Sequence, residues 1–134
     1  MNVLQWTCLL MTAAMIAFLA SCGTSMSPAQ AIAVQFDPNF PPPPTINTGG
    51  HVGIAAVVTN DPRQQGLVFS CAPSSACGTF SPIQVGSNVP TCYLAPAQVP
   101  MGNTVTVTAT AVSDNTKFKS ATITVLNGAG TPCP

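Results

Sequence analysis

Thr104-Val105-Thr106-Val107-Thr108-Ala109-Thr110-Ala111 is the stretch that decides the fold class. The threonines occupy every second position and aliphatic residues fill the positions between. A period of two is the repeat of a β-strand, whose successive side chains point to opposite faces. No helical repeat of 3.6 fits this octet. Thr is β-branched, so it suits a pleated strand, and its hydroxyl makes a face that tolerates water without charge. The stretch therefore reads as a strand with one buried and one wet face.

The same period recurs on both sides. Ser120 to Leu126 places Ala121, Ile123 and Val125 inward. Ala31 to Phe36 places Ile32, Val34 and Phe36 on one face, and His51 to Thr59 does so with Val52, Ile54, Ala56 and Val58. Leu67, Phe69 and Cys71 alternate with Val68 and Ser70. Turn chemistry separates these runs: Thr48-Gly49-Gly50, Asn60-Asp61-Pro62, Pro73-Ser74-Ser75, Met101-Gly102-Asn103 and Ser113-Asp114-Asn115. Short alternating strands with turns between them predict an all-β antiparallel sandwich of about seven strands. Pro41 to Pro44 falls inside the first strand region. Proline belongs at edges and bends, so this run is expected to interrupt the first strand where the chain crosses between sheets.

The chain is 134 residues long, enough for one domain with one core. Charged residues make up 4%, there is no Glu, and the formal net charge is zero. Three basic residues cannot form the cationic face that nucleic acid requires. A hydrophobic fraction of 46% excludes charged disorder. The supply of acids and bases for catalysis is thin. No enzyme activity and no cofactor are expected.

Residues 1–22 read as an export signal. Cys8 to Ala20 is apolar apart from Thr12, as long as a signal core and short for a bilayer span. Met1 to Thr7 lacks the usual Lys or Arg. The run ends in Leu19-Ala20-Ser21-Cys22, which resembles the lipobox of bacterial lipoproteins. That resemblance implies a diacylglycerol thioether on Cys22, cleavage before it, and a membrane anchor of several acyl chains. Residues 1–21 would then be the signal peptide and 22–30 a short tether, with residues 31–134 forming the domain and its tail. Gly23, rather than Asp, follows Cys22, which resembles the outer-membrane sorting class, so the expected location is the cell envelope, at the outer membrane and facing either the periplasm or the exterior.

The body resembles the bacterial immunoglobulin-like modules of group-2-like type. The segments that carry the resemblance run from the Pro run and Thr45-Ile46-Asn47-Thr48-Gly49-Gly50 to Ser120-Ala121-Thr122-Ile123-Thr124-Val125. Between them lie Ala56-Val57-Val58-Thr59-Asn60-Asp61, Gly66-Leu67-Val68-Phe69-Ser70-Cys71, Cys77-Gly78-Thr79-Phe80-Ser81-Pro82, Tyr93-Leu94-Ala95-Pro96 and the Thr104 octet. The family often has Trp where this chain has Phe69. It implies an immunoglobulin-like sandwich with no catalytic residues and a structural or adhesive role at the cell surface. The alternative is a module that binds envelope polysaccharide, with Tyr93 and Phe80 as sugar-stacking contacts. The partners expected are the membrane, through Cys22, and a protein or glycan.

Six cysteines less Cys8 and Cys22 leave Cys71, Cys77, Cys92 and Cys133, an even number in an exported chain. Three pairings are possible. The short turn between Cys71 and Cys77 favours that bridge at the end of a hairpin, which leaves Cys92–Cys133 by exclusion. A metal site with His51 lacks paired ligand spacing, so no metal is expected, and His51 reads as a solvated edge residue. Asp37, Asp61 and Asp114 occupy turn positions, where a carboxylate bonds nearby backbone amides. Lys117 and Lys119 enter a strand, where charge blunts edge pairing.

Overall fold

The computed structural model describes residues 30–132. The leader, Cys22, nearly all of the tether and Cys133 lie outside the described residues. Ten strands follow in order: β1 Ala33–Phe36, β2 Thr45–Asn47, β3 His51–Ile54, β4 Ala56–Thr59, β5 Leu67–Ala72, β6 Thr79–Ser81, β7 Gln84–Val85, β8 Thr91–Leu94, β9 Thr104–Ala111 and β10 Phe118–Leu126. No helix occurs among the described residues.

The strands form two layers. One is the five-stranded sheet β2-β10-β9-β5-β7. The other combines the pair β1-β4 with the three-stranded sheet β3-β8-β6. Only Ala55 separates β3 from β4, so one extended run pairs first with β8 and then with β1. The fold is the all-β sandwich that the alternation predicts. The expected seven strands correspond to β1/β2, β3/β4, β5, β6, β8, β9 and β10. Breaks at the Pro run and at Ala55, together with the two-residue β7, raise the count to ten.

The Pro run changes the strand's partner. Before it, β1 pairs antiparallel with β4; after it, β2 pairs with β10 in the other layer. Four residues without a backbone N–H cannot continue a ladder, so the chain leaves one sheet and joins the other. The β2–β10 pairing is parallel, unlike all the others.

The octet behaves as its pattern demands. Val105, Val107, Ala109 and Ala111 are buried, and the four threonines point away from the core. β9 lies between β5 and β10, central in its sheet. Ile54, Leu67, Phe69, Val105, Ile123 and Val125 form much of the core between the layers. Each such side chain contributes about 1.5–3 kcal/mol by leaving water.

The registers also define two ends. Near one end lie the start of β1, the 60–66 loop, the 86–90 turn and the 112–117 turn, tied by Val112 N–H to Gly66 O at 3.1 Å and Asn88 N–H to Ala56 O at 2.9 Å. Near the other lie the 48–50 turn, the Cys71–Cys77 loop, residues 95–103 and the tail after Leu126. Thr48 N–H to Leu126 O and Gly49 N–H to Pro96 O hold this end, at 2.9 and 3.0 Å.

Candidate functional site

Cys71 and Cys77 are joined in a disulfide, with Cα atoms 5.7 Å apart. The bridge does not close a hairpin, as the spacing suggested. Cys71 lies on β5, whose partners are β9 and β7, whereas Cys77 precedes β6, which pairs with β8. The disulfide therefore fastens the edge of one layer to the edge of the other. Cys92 is disulfide-bonded as well, and its expected partner Cys133 lies outside the described residues.

The Cys77 loop is also tied to the core. The Tyr93 hydroxyl donates to the Cys77 carbonyl at 2.5 Å. Next to it, Gly78 adopts φ +91°, and a Cβ there would lie 2.1 Å from the Leu94 carbonyl oxygen. Only glycine accepts both the left-handed backbone and that approach.

Tyr93 is completely buried and Phe80 is 8% exposed, so neither offers a face to a sugar. This corrects the expectation that they form a ligand contact. Phe69, Phe80 and Tyr93 instead make a tilted aromatic row through the core, with centroids 5.4 and 4.9 Å apart. Strand alternation points all three inward, because each follows an outward-facing neighbour on its own strand. Burial pushes the Tyr93 phenol up to about 12.

His51 is half-buried rather than solvated, and its Nδ1 is shielded from water without a hydrogen-bond partner. Its backbone N–H donates to the Thr131 carbonyl at 2.8 Å. The tail runs past it, held by Asn47 Nδ2 on Ala129 O and Thr48 Oγ1 on Gly128 O. A pocket of about 310 Å³ lies between this tail and β2–β3. Among the described residues, no three His, Cys, Asp or Glu side chains gather.

The aspartates are turn acceptors. Asp37 accepts the Asn39 N–H at 2.7 Å. Asp61 takes the amides of Arg63 and Gln65 at 3.1 and 2.9 Å, and that of Gly66 at 3.4 Å. Desolvation raises the Asp61 carboxyl, but the nearby Ser113 side chain, which makes no hydrogen bond of good geometry, and these three amides outweigh it and hold the group below its ordinary 3.8. At Asp114 the Thr116 hydroxyl and amide lower the carboxyl against a smaller desolvation effect.

A cleft opens beside Asp61. It has a volume of about 720 Å³ and is lined by Gln30, Asn60, Asp61, Gln64 and Ser87 among others. Most of its polar groups are already engaged. Asp61 holds its own loop, Asn60 Nδ2 donates to Ala31 O, and Ser87 Oγ bonds Val58. The carboxamides of Gln30 and Gln64 can still accept and donate. This arrangement can hold a neutral polar group. Asn60 and Gln64 have φ of 58° and 50°. Asn60-Asp61-Pro62 is the sequence sign of this loop, and nothing in the pattern indicates that Gln30 and Ser87 meet it.

A second candidate surface is the outer face of the five-stranded sheet. Phe118 is 60% exposed there and stands opposite Thr110, while Thr108 Oγ1 and Ser120 Oγ lie 2.8 Å apart. The sequence marked the threonines as a wet face but gave Phe118 no role. Comparison of the chain with family models, curated proteins and solved structures finds no match.

Proposed function

We propose that the chain is a non-enzymatic, lipid-anchored protein of the cell envelope that carries one immunoglobulin-like module with a structural or adhesive role. The observation that carries this reading is the Leu19-Ala20-Ser21-Cys22 box at the end of an apolar run. Acylated Cys22 would be the membrane attachment, and the small and polar residues after it a tether. Gln30 lines the cleft beside the 60–66 loop, so an anchor would draw on that end of the sandwich. The disulfide-fastened loop and the 95–103 segment would then face away from the bilayer. Met101 in that segment is 99% exposed, the kind of tip a partner can reach.

Metabolic labelling with radioactive palmitate in a bacterial host tests the anchor. The parent chain should incorporate label and partition with membranes, and Cys22→Ala should do neither. Equal labelling of the two would refute the anchor.

A further inference from the structure

The outer face of the five-stranded sheet has a chemistry that neither the core nor the cleft uses. One row across it runs Val68, Thr110, Phe118, and the next runs Ser70, Thr108, Ser120. Thr106 and Thr122 continue it one step further. None of these side chains is charged. Neighbouring strands lie about 4.8 Å apart, and same-face residues on one strand about 6.8 Å apart. The result is a regular field of hydroxyls with an exposed phenyl ring at one end.

Each hydroxyl can donate or accept, so it matches an alcohol group presented either way round. A charge-free face neither attracts nor repels ions, which leaves a neutral ligand as the electrostatic match. A phenyl ring beside hydroxyls suits a pyranose, which has one C–H-rich face and a rim of hydroxyls. A protein interface has a different make-up, with an apolar, aromatic core and a rim of mixed charge. Phe118 leaves most of its surface in water, and burying a ring is strongly favourable, so it is the anchoring group.

We propose that this face binds a neutral polysaccharide, with a sugar ring stacked on Phe118 and its hydroxyls bonded by Thr110, Thr108 and Ser120. The inference rests on the adhesive form of the reading above and is independent of the lipid anchor. It moves sugar stacking from the buried Tyr93 and Phe80 of one layer to an exposed aromatic on the outer face of the other.

The test is co-sedimentation of the full chain, kept in a non-glycosidic detergent, with insoluble cellulose, chitin, β-1,3-glucan and mannan. The parent should bind at least one of the four. Phe118→Ala should weaken that binding at least about tenfold, one decade of affinity being the scale of one good apolar contact. Thr108→Val keeps the branched shape and loses the hydroxyl, so binding should fall about threefold or more. Both variants should melt like the parent, because neither side chain belongs to the core. Failure of the parent to bind any of the four overturns the proposal. Variants that bind like the parent also overturn it, since the ligand then sits elsewhere, but they leave an adhesive role standing. If sedimentation shows a dimer that Phe118→Ala abolishes, the face belongs to a second copy and the proposal falls.

Discussion

Tyr93 is the residue on which several features of the molecule converge. Its ring packs against Phe80, its hydroxyl holds the Cys77 carbonyl, and no water reaches it. Tyr93→Phe keeps the ring and leaves that carbonyl without its donor, which should cost about 1–3 kcal/mol, read as a lower denaturation midpoint. The phenol, pushed up to about 12, also links stability to alkali. A raised pKa means that the folded state holds its proton where the unfolded chain, near an ordinary 10, releases it. The stabilisation is complete below about pH 10 and is lost as pH climbs toward 12. Tyr93 is the single tyrosine, so ultraviolet tyrosinate absorbance reports it alone. Its absorbance should rise together with unfolding, and Tyr93→Phe should lose this part of the alkaline destabilisation.

Among the elements, β5 and β6 share no strand ladder. The two strands belong to different layers, and the Cys71–Cys77 bridge joins them across the end of the sandwich. Closing so short a loop restricts the unfolded chain by about 2 kcal/mol. Cys71→Ser with Cys77→Ser should therefore lower the melting temperature by on the order of 10 °C in a domain of this size. Far-ultraviolet circular dichroism should show unchanged strand content, because β5 keeps its ladder to β9 and β6 its ladder to β8. A double variant that melts like the parent would show that the bridge adds no stability. The interrupted first strand is the second device at this scale. Its two halves hold the two layers at one edge, β1 against β4 and β2 against β10.

For the whole molecule, the scarcity of charge sets the acid response. There is no Glu, and two of the three aspartates are held below their ordinary value by hydroxyl and amide donors. A lowered carboxyl stabilises the fold at pH above the ordinary range, and that stability is lost as pH falls through the folded-state value. The loss due to Asp61 and Asp114 therefore lies below about pH 4. Urea unfolding followed from pH 5 down to pH 2 should show a falling midpoint in the parent. The fall should be smaller in Asp61→Asn/Asp114→Asn, where neither group titrates. An equal fall in the two would mean that other groups carry the acid response.

The sequence by itself determined the fold class, because burial in a sandwich requires side chains to alternate and the alternation is written in β9, β10, β5 and β3/β4. It also determined where the chain turns and what the aspartates do there, since those interactions span only a few residues. The Pro run likewise announced its own crossing, because a missing N–H is a local property. What only the tertiary structure decided are relations between distant residues. Alternation says that Phe80 and Tyr93 lie on one face of their strands, but not whether that face meets a second sheet or water; the packing of the other layer made them core. The spacing of Cys71 and Cys77 permits a hairpin or a bridge between layers, and strand pairing selected the latter. Gln30, Asn60 and Ser87 meet in one cleft, and Phe118 stands beside Thr110, through registers that no local pattern contains.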